Sequence, residues 1–301
     1  MGGFVGLLLD PEATPAQCEE AGVEAVRRAV ELGVRYFDTS PAYGDGLSER
    51  HLAAGLAALD PEVRAGLTVS TKVGTHPERR YAYGADDVRW CFEGSRELLG
   101  AIDVVLVHDP AADEHLDTIL GPGGAFDALE ELKATGEIRA IGLGVRPHRF
   151  LRRALESGRA DVILPSYDYH LIRRSAAPLL AAAAAAGVGV INGSPYQAGL
   201  LAGSDLDREA SRWRPEHADV ERARGIAAWC AERGIDVGAA AVQFSLREPR
   251  IDTTLVGPRT AAEVESCLGH AAAELPEGIW EELEGFLAQL QPPPEPGGEA
   301  R

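Results

Sequence analysis

Four side chains able to act on one proton stand at telling places in this chain: Asp38, Tyr43, Lys72 and His108. Asp38 follows the apolar run 34–37, Lys72 the β-branched run 67–71, and His108 the nearly continuous apolar run 102–107. Tyr43 lies just beyond Asp38, in Thr39-Ser-Pro-Ala-Tyr-Gly44. A phenol holds its proton at neutral pH, with an ordinary pKa of about 10. A cation beside it favours the phenolate and brings that value down. Lys72 is the expected cation, and a buried lysine needs a counter-charge, which Asp38 supplies. His108 adds a second donor. Such a set moves a proton to or from an alcohol or carbonyl oxygen. With a hydride acceptor opposite, the chemistry is alcohol–carbonyl redox.

Each residue also has a plainer reading. Asp38 before Thr-Ser-Pro suits a turn or helix cap. Lys72 suits a surface charge, Tyr43 loop packing, and His108 a loop residue bonded to backbone. The occurrence of all four at three strand ends and one loop is what carries the functional reading.

The elements that must position them alternate along the chain. Apolar periodicity predicts strands over 34–37, 67–71, 102–107, 138–143, 161–164, 188–191 and 253–256. Helical patterns fall over 15–32, 48–58, 86–99, 126–134, 149–156, 173–186, 219–232, 261–273 and 278–290, with Ser48 read as the N-cap of the second. Strands apolar throughout imply burial on both faces and a parallel sheet. Seven such units predict an α/β fold of the (β/α)8 TIM-barrel type, one domain over residues 1–290, with a disordered tail over 291–301. No G-x-G-x-x-G follows a strand, which argues against a doubly wound dinucleotide fold. In a barrel the reactive groups sit where strands end, as these four do. Only residues 1–9 precede the first helical pattern, so the first strand is expected to be truncated, or the true start to lie upstream.

The 301 residues carry a formal charge of −18 and are 45% hydrophobic. A chain so acidic repels a phosphate backbone, so nucleic acid is not expected as a partner. The N-terminus has no basic segment and no membrane-length apolar run, and the expected location is the cytoplasm. Cys18, Cys91, Cys230 and Cys267 are scattered without metal-ligand spacing, so no metal is expected and the thiols should be free.

The chain resembles the aldo-keto reductases over about residues 1–290. The motifs are Gly33-Val-Arg-Tyr-Phe-Asp-Thr-Ser-Pro-Ala-Tyr-Gly44 with Leu47-Ser-Glu-Arg50, Thr71-Lys-Val73, Val105-Leu-Val-His-Asp109 and Ile138-Arg-Ala-Ile-Gly142. The resemblance implies a barrel that binds NAD or NADP without a Rossmann motif. It implies Tyr43 as general acid/base, Lys72 and Asp38 as its tuning pair, and His108 as the donor that orients the substrate. Gly142-Leu-Gly-Val145 and Gly193-Ser-Pro-Tyr-Gln-Ala-Gly-Leu-Leu201 look most like the branch that oxidises aldoses such as L-fucose or L-galactose at C1. A neighbouring relative acts on pyridoxal. The expected partner is therefore a small sugar or aldehyde, and the expected assembly a monomer or small homo-oligomer. A rival expectation is a cofactor-binding barrel that regulates or scaffolds a partner, with little turnover.

The resemblance puts Ser166 and Ser194 at cofactor-facing positions. Three departures stand out: Gly144 and Val145 replace a Ser-Asn pair that holds the nicotinamide amide, Ser166 replaces a Gln, and Gly193 replaces a stacking Tyr. Tyr196 is the candidate substitute for that ring, and with Trp213 for a contact to a sugar face. The final loop, Gly257-Pro-Arg-Thr260, leads into a helix whose N-terminus suits a phosphate, with Arg259 and Thr260 as its contacts. Glu263, one turn in, repels a 2′-phosphate and accepts from a free 2′-hydroxyl, which predicts NAD over NADP.

Overall fold

A computed structural model describes residues 1–3, 5–7, 10 and 12–290; the expected disordered tail, 291–301, lies outside the described residues. Among the described residues nine strands occur: β1 Tyr36–Asp38, β2 Thr68–Val73, β3 Thr75–His76, β4 Arg79–Arg80, β5 Val104–His108, β6 Ala140–Gly144, β7 Val162–Leu164, β8 Gly189–Gly193 and β9 Thr253–Leu255. Seven form one parallel sheet in the order β1-β2-β5-β6-β7-β8-β9, which is chain order. Helices cover its outer face, and the sheet curls into a nearly closed barrel. β3 and β4 make a small antiparallel hairpin outside it.

Closure is completed by residues 1–3. Gly2 pairs in parallel with Asp38 and its N–H donates to the Val256 carbonyl at 2.7 Å. Asp38 N–H donates to Met1 O at 2.8 Å, and Gly3 N–H to Asp38 O at 3.1 Å. Three residues thus occupy the place of an eighth strand and satisfy backbone groups on both neighbours.

Alternation along the strands sorts side chains into two layers. Val105 and Val107 face the helices, while Val104 and Leu106 join Val162, Leu164, Ile191 and Leu255 in a separate apolar plug inside the barrel. Burying each such side chain contributes roughly 1.5–3 kcal/mol. Tyr36 packs on that plug. Asp38 and His108 continue the inward rows of Tyr36 and Leu106 by two residues. The lumen is therefore apolar below and polar at its C-terminal mouth, as barrel packing requires of a filled interior.

Several boundaries depart from expectation. β2 runs through Lys72 to Val73, so the lysine lies within the strand. The second helix is Leu47–Ala57, capped by Gly46 at φ 85° with no side-chain cap. Ser48 is not the cap: it is buried, with its Oγ 3.1 Å from Thr39 Oγ1. The helix expected from residue 173 begins at Ala177. Arg173 is drawn inward instead, its guanidinium donating to Asp219 at 2.8 Å, and Pro178 suits a first helical turn. Helices Pro61–Ala65, Asp113–Leu120, Leu206–Trp213 and Val237–Leu246 were not anticipated. The four cysteines form no disulfide. Among the described residues no helix is long and apolar enough to cross a membrane.

Candidate active site

Asp38, Lys72 and His108 converge because β1, β2 and β5 are adjacent and in register. Asp38 pairs with Ser70, and Lys72 with Leu106. Lys72 Nζ donates to Asp38 Oδ2 at 2.5 Å and to the Thr39 carbonyl at 2.8 Å. Ser70 Oγ donates to Asp38 Oδ1 at 2.6 Å. The pair is 1% and 3% exposed, so each charge has left water and is met by the other and by further hydrogen bonds. Burial draws the Lys72 ammonium down, but Asp38 and Tyr43 more than reverse it, and its pKa ends above the ordinary lysine range.

Tyr43 reaches this pair from the loop after β1. The Lys72 ammonium lies 4.9 Å from the Tyr43 ring centroid. Its ring meets that of His108 edge-on, centroids 5.6 Å apart at 88°. Lys72 does pull the phenol down, as expected, but does not win. Burial pushes Tyr43 up to about 12 despite Lys72, and Asp38 adds to the rise. The expectation that a neighbouring cation brings the phenol down holds for the sign of Lys72's effect but not for the total: the desolvation cost of a phenolate exceeds the attraction of one ammonium that is already paired.

His108 is buried, and its pKa is lowered well below the usual imidazole value, first by burial and then by Lys72. It is a neutral ring at physiological pH. Thr75 Oγ1 lies 2.8 Å from its Nδ1, and Ser40 Oγ 3.4 Å. Tyr83 OH donates to the His108 carbonyl at 2.8 Å. Thr75 begins β3 and Tyr83 follows β4. Gly74, at φ 94°, makes the turn out of β2, and a Cβ there would lie 2.3 Å from the Tyr83 ring. Ser40, Ser70, Thr75 and Tyr83 were not singled out from the sequence. Pro77 in Thr75-His-Pro-Glu-Arg79 was the one available hint of a turn.

The Leu47-Ser-Glu-Arg50 motif proves to be scaffold. Glu49 is buried and accepts from Thr71 Oγ1 at 2.5 Å and Ser95 Oγ at 2.9 Å. It ties helix Leu47–Ala57 to β2 and helix Ala85–Leu99.

The residues expected to hold a cofactor lie at the ends of β7, β8 and β9. Ser166 pairs with Gly193, and Ser194 follows at φ 61°. Thr260 caps helix Ala261–Ala272 by accepting from Glu263 N–H at 3.3 Å. The Glu263 carboxylate accepts from the Arg259 N–H at 2.7 Å and from its guanidinium at 2.8 Å. Gly257 lies in the same loop. Tyr196 does not join them: it is buried, and its hydroxyl lies 3.1 Å from His270 Nδ1 on helix Ala261–Ala272. It is committed to packing that helix and does not replace the missing ring at Gly193. Trp213 ends its own helix at 44% exposure, its Nε1–H donating to Glu209 at 3.2 Å.

Comparison with known proteins agrees with this architecture. Residues 12–288 match the aldo/keto reductase family. The chain is 35% identical over 297 residues to a D-threo-aldose 1-dehydrogenase of Pseudomonas sp., covering 88% of this chain and 87% of that one. It is 33% identical over 253 residues to an L-galactose dehydrogenase of Arabidopsis thaliana, with 82% and 76% covered. Among solved structures, a glycerol dehydrogenase from Gluconobacter oxydans superposes with a TM-score of 0.74 at 22% identity, over 96% and 91% of the two chains. The chain belongs to the aldo/keto reductase family. It is an NAD(P)-dependent oxidoreductase on a (β/α)8-type barrel.

Proposed function

We propose that this protein oxidises an aldose at C1 to a lactone, prefers NAD to NADP, and uses Tyr43 as its general acid/base. The observation that carries the reading is the buried Asp38–Lys72 pair, with its ammonium 4.9 Å from the Tyr43 ring centroid, beside a neutral His108 that meets the same ring edge-on. A protein that only bound cofactor would have no use for a buried ammonium held against a phenol at a desolvation cost of several kcal/mol per ion. The aldose dehydrogenases among the relatives support the substrate class.

The residues at the ends of β7, β8 and β9 fit a nicotinamide dinucleotide. Gly257, Arg259, Thr260 and the N-terminus of helix Ala261–Ala272 offer a cation and backbone donors to its phosphates. Ser166 and Ser194 offer hydroxyls at adjacent strand ends, and side-chain-free Gly144 and Gly193 leave room for a flat ring. Glu263 disfavours a 2′-phosphate. When bound, the cofactor takes up or supplies the hydride.

His108 donates a hydrogen bond to the substrate oxygen and fixes its direction. Tyr43 exchanges the proton of that same oxygen, accepting it when the hemiacetal is oxidised and returning it when a carbonyl is reduced. Lys72 stabilises the phenolate side of this exchange, and Asp38 keeps Lys72 charged. The raised Tyr43 pKa keeps the proton in place at neutrality, so oxidation is expected to accelerate as pH rises. The test is a screen that follows formation of reduced cofactor with L-fucose, L-galactose, D-arabinose and pyridoxal, each with NAD and NADP. Turnover of an aldose with NAD, and product identified as the lactone, is expected. Turnover confined to pyridoxal, or a strong NADP preference, overturns the corresponding part.

A further inference from the structure

We propose that Thr75 is a positioning residue for the reaction: with Ser40 and Asp109 it fixes His108 as the tautomer that carries its proton on Nε2. A neutral imidazole has one N–H and one lone pair, and which nitrogen holds which is set by its neighbours. Two hydroxyls converge on Nδ1, Thr75 Oγ1 at 2.8 Å and Ser40 Oγ at 3.4 Å. Ser40 Oγ already accepts from the Ala42 N–H at 3.1 Å, so its own O–H is free to donate. The other nitrogen, Nε2, lies 3.4 Å from Asp109 Oδ2. A carboxylate only accepts, and a nitrogen lone pair turned toward it would be repelled. Donors crowd one nitrogen and an acceptor faces the other, and both conditions are met when Thr75 donates to Nδ1 and Nε2 bears the hydrogen.

The backbone supports the same arrangement. Asp109 adopts φ 43°, a left-handed conformation that turns its side chain back beside the ring. Tyr83 holds the His108 carbonyl from the far side of the hairpin. Gly74 permits the turn that brings Thr75 to the imidazole. The hairpin is thus a clamp on His108, one hydroxyl on its backbone and one on its ring. An Nε2–H is what a donor to the substrate oxygen requires, and the Asp109 carboxylate faces that nitrogen at 3.4 Å.

The inference rests on the reading of His108 as the substrate-orienting donor, and its test does not depend on turnover. Ring-15N-histidine protein without cofactor is examined by long-range proton–nitrogen correlation, with His108 assigned by the signals lost in His108→Asn. The wild-type spectrum is expected to show Nε2 bearing the proton and Nδ1 bare and hydrogen-bonded. Thr75→Val should remove the hydrogen-bond shift at Nδ1 and populate the other tautomer. It should lower kcat roughly tenfold, the size of one neutral hydrogen bond, with cofactor KM unchanged. Thr75→Ser should restore both. A proton found on Nδ1 in the wild type overturns the proposal without any variant. So does an unaltered His108 spectrum in Thr75→Val, whatever its activity. Absence of aldose turnover with the expected tautomer present would instead count against the proposed reaction alone.

Discussion

The barrel mouth has two unlike halves. At the ends of β1, β2 and β5, a buried carboxylate and ammonium are 1–3% exposed, and both are hydrogen-bonded further, by Ser70 and by the Thr39 carbonyl. At the ends of β7, β8 and β9, the comparable ion pair, Arg259 with Glu263, is 21% and 38% exposed and lies within one turn of chain. The first pair is made by strand neighbours distant in sequence and cannot relax without opening the sheet. The second is local, solvent-screened and inexpensive to rearrange. In the proposed function, the first half would transfer the proton and is built before any ligand arrives, whereas the second would hold the cofactor and is bound lightly enough to exchange its partner for a phosphate or ribose. The loop after β7 adds a further contrast. There Asp168 Oδ1 and His170 Nδ1 are buried without a hydrogen-bond partner among the described residues.

The comparison can be broken most forcefully at Tyr43. Tyr43→Phe removes the exchangeable proton and nothing from the cofactor half, so turnover should fall by about 10²–10⁴-fold while cofactor binding, followed by fluorescence titration, persists. Equal loss of both would merge the two halves. Next is the buried pair itself. Lys72→Met leaves Asp38 charged and unpaired inside the protein, which should cost about 3–5 kcal/mol in urea unfolding besides abolishing activity. A smaller effect is expected at His170, whose pKa is lowered to about 4, first by burial, with its Nε2 2.9 Å from the Tyr167 carbonyl. A base depressed on folding gives stability that is present above the unfolded value, about 6.5, and lost as pH falls through the folded one. His170's share of that loss is on the order of 3 kcal/mol. It should disappear from the pH dependence of unfolding in His170→Gln, measured between those values.

The smallest effect belongs to the exposed pair. Glu263→Gln should change stability by at most about 1 kcal/mol. It should nonetheless shift the NADP-to-NAD ratio of kcat/KM upward, roughly tenfold, because a carboxylate no longer faces the 2′ position. An unchanged ratio would make Glu263 only a first-turn acid favoured by the helix dipole.

Much of this was legible in the chain itself. Continuous apolar runs identified the parallel strands, since burial on both faces removes the polar alternation. Their ends marked Asp38 and His108 to the residue, and Lys72 within two residues of the end of β2. The helix from residue 261 and the acid one turn in were also readable, being local chemistry, whereas the cap at Thr260 was not. What could not be read were contacts made only when strands close on one another. Nothing in the order of residues says that Thr75 meets His108, that Tyr196 turns to His270, or that Ser48 serves Thr39 and not its own helix. The sign of the Tyr43 shift belongs to the same class. Residue types alone foretell that an ammonium lowers a phenol's pKa. How much water the barrel mouth excludes decides whether burial outweighs it, and that quantity exists only in the folded protein.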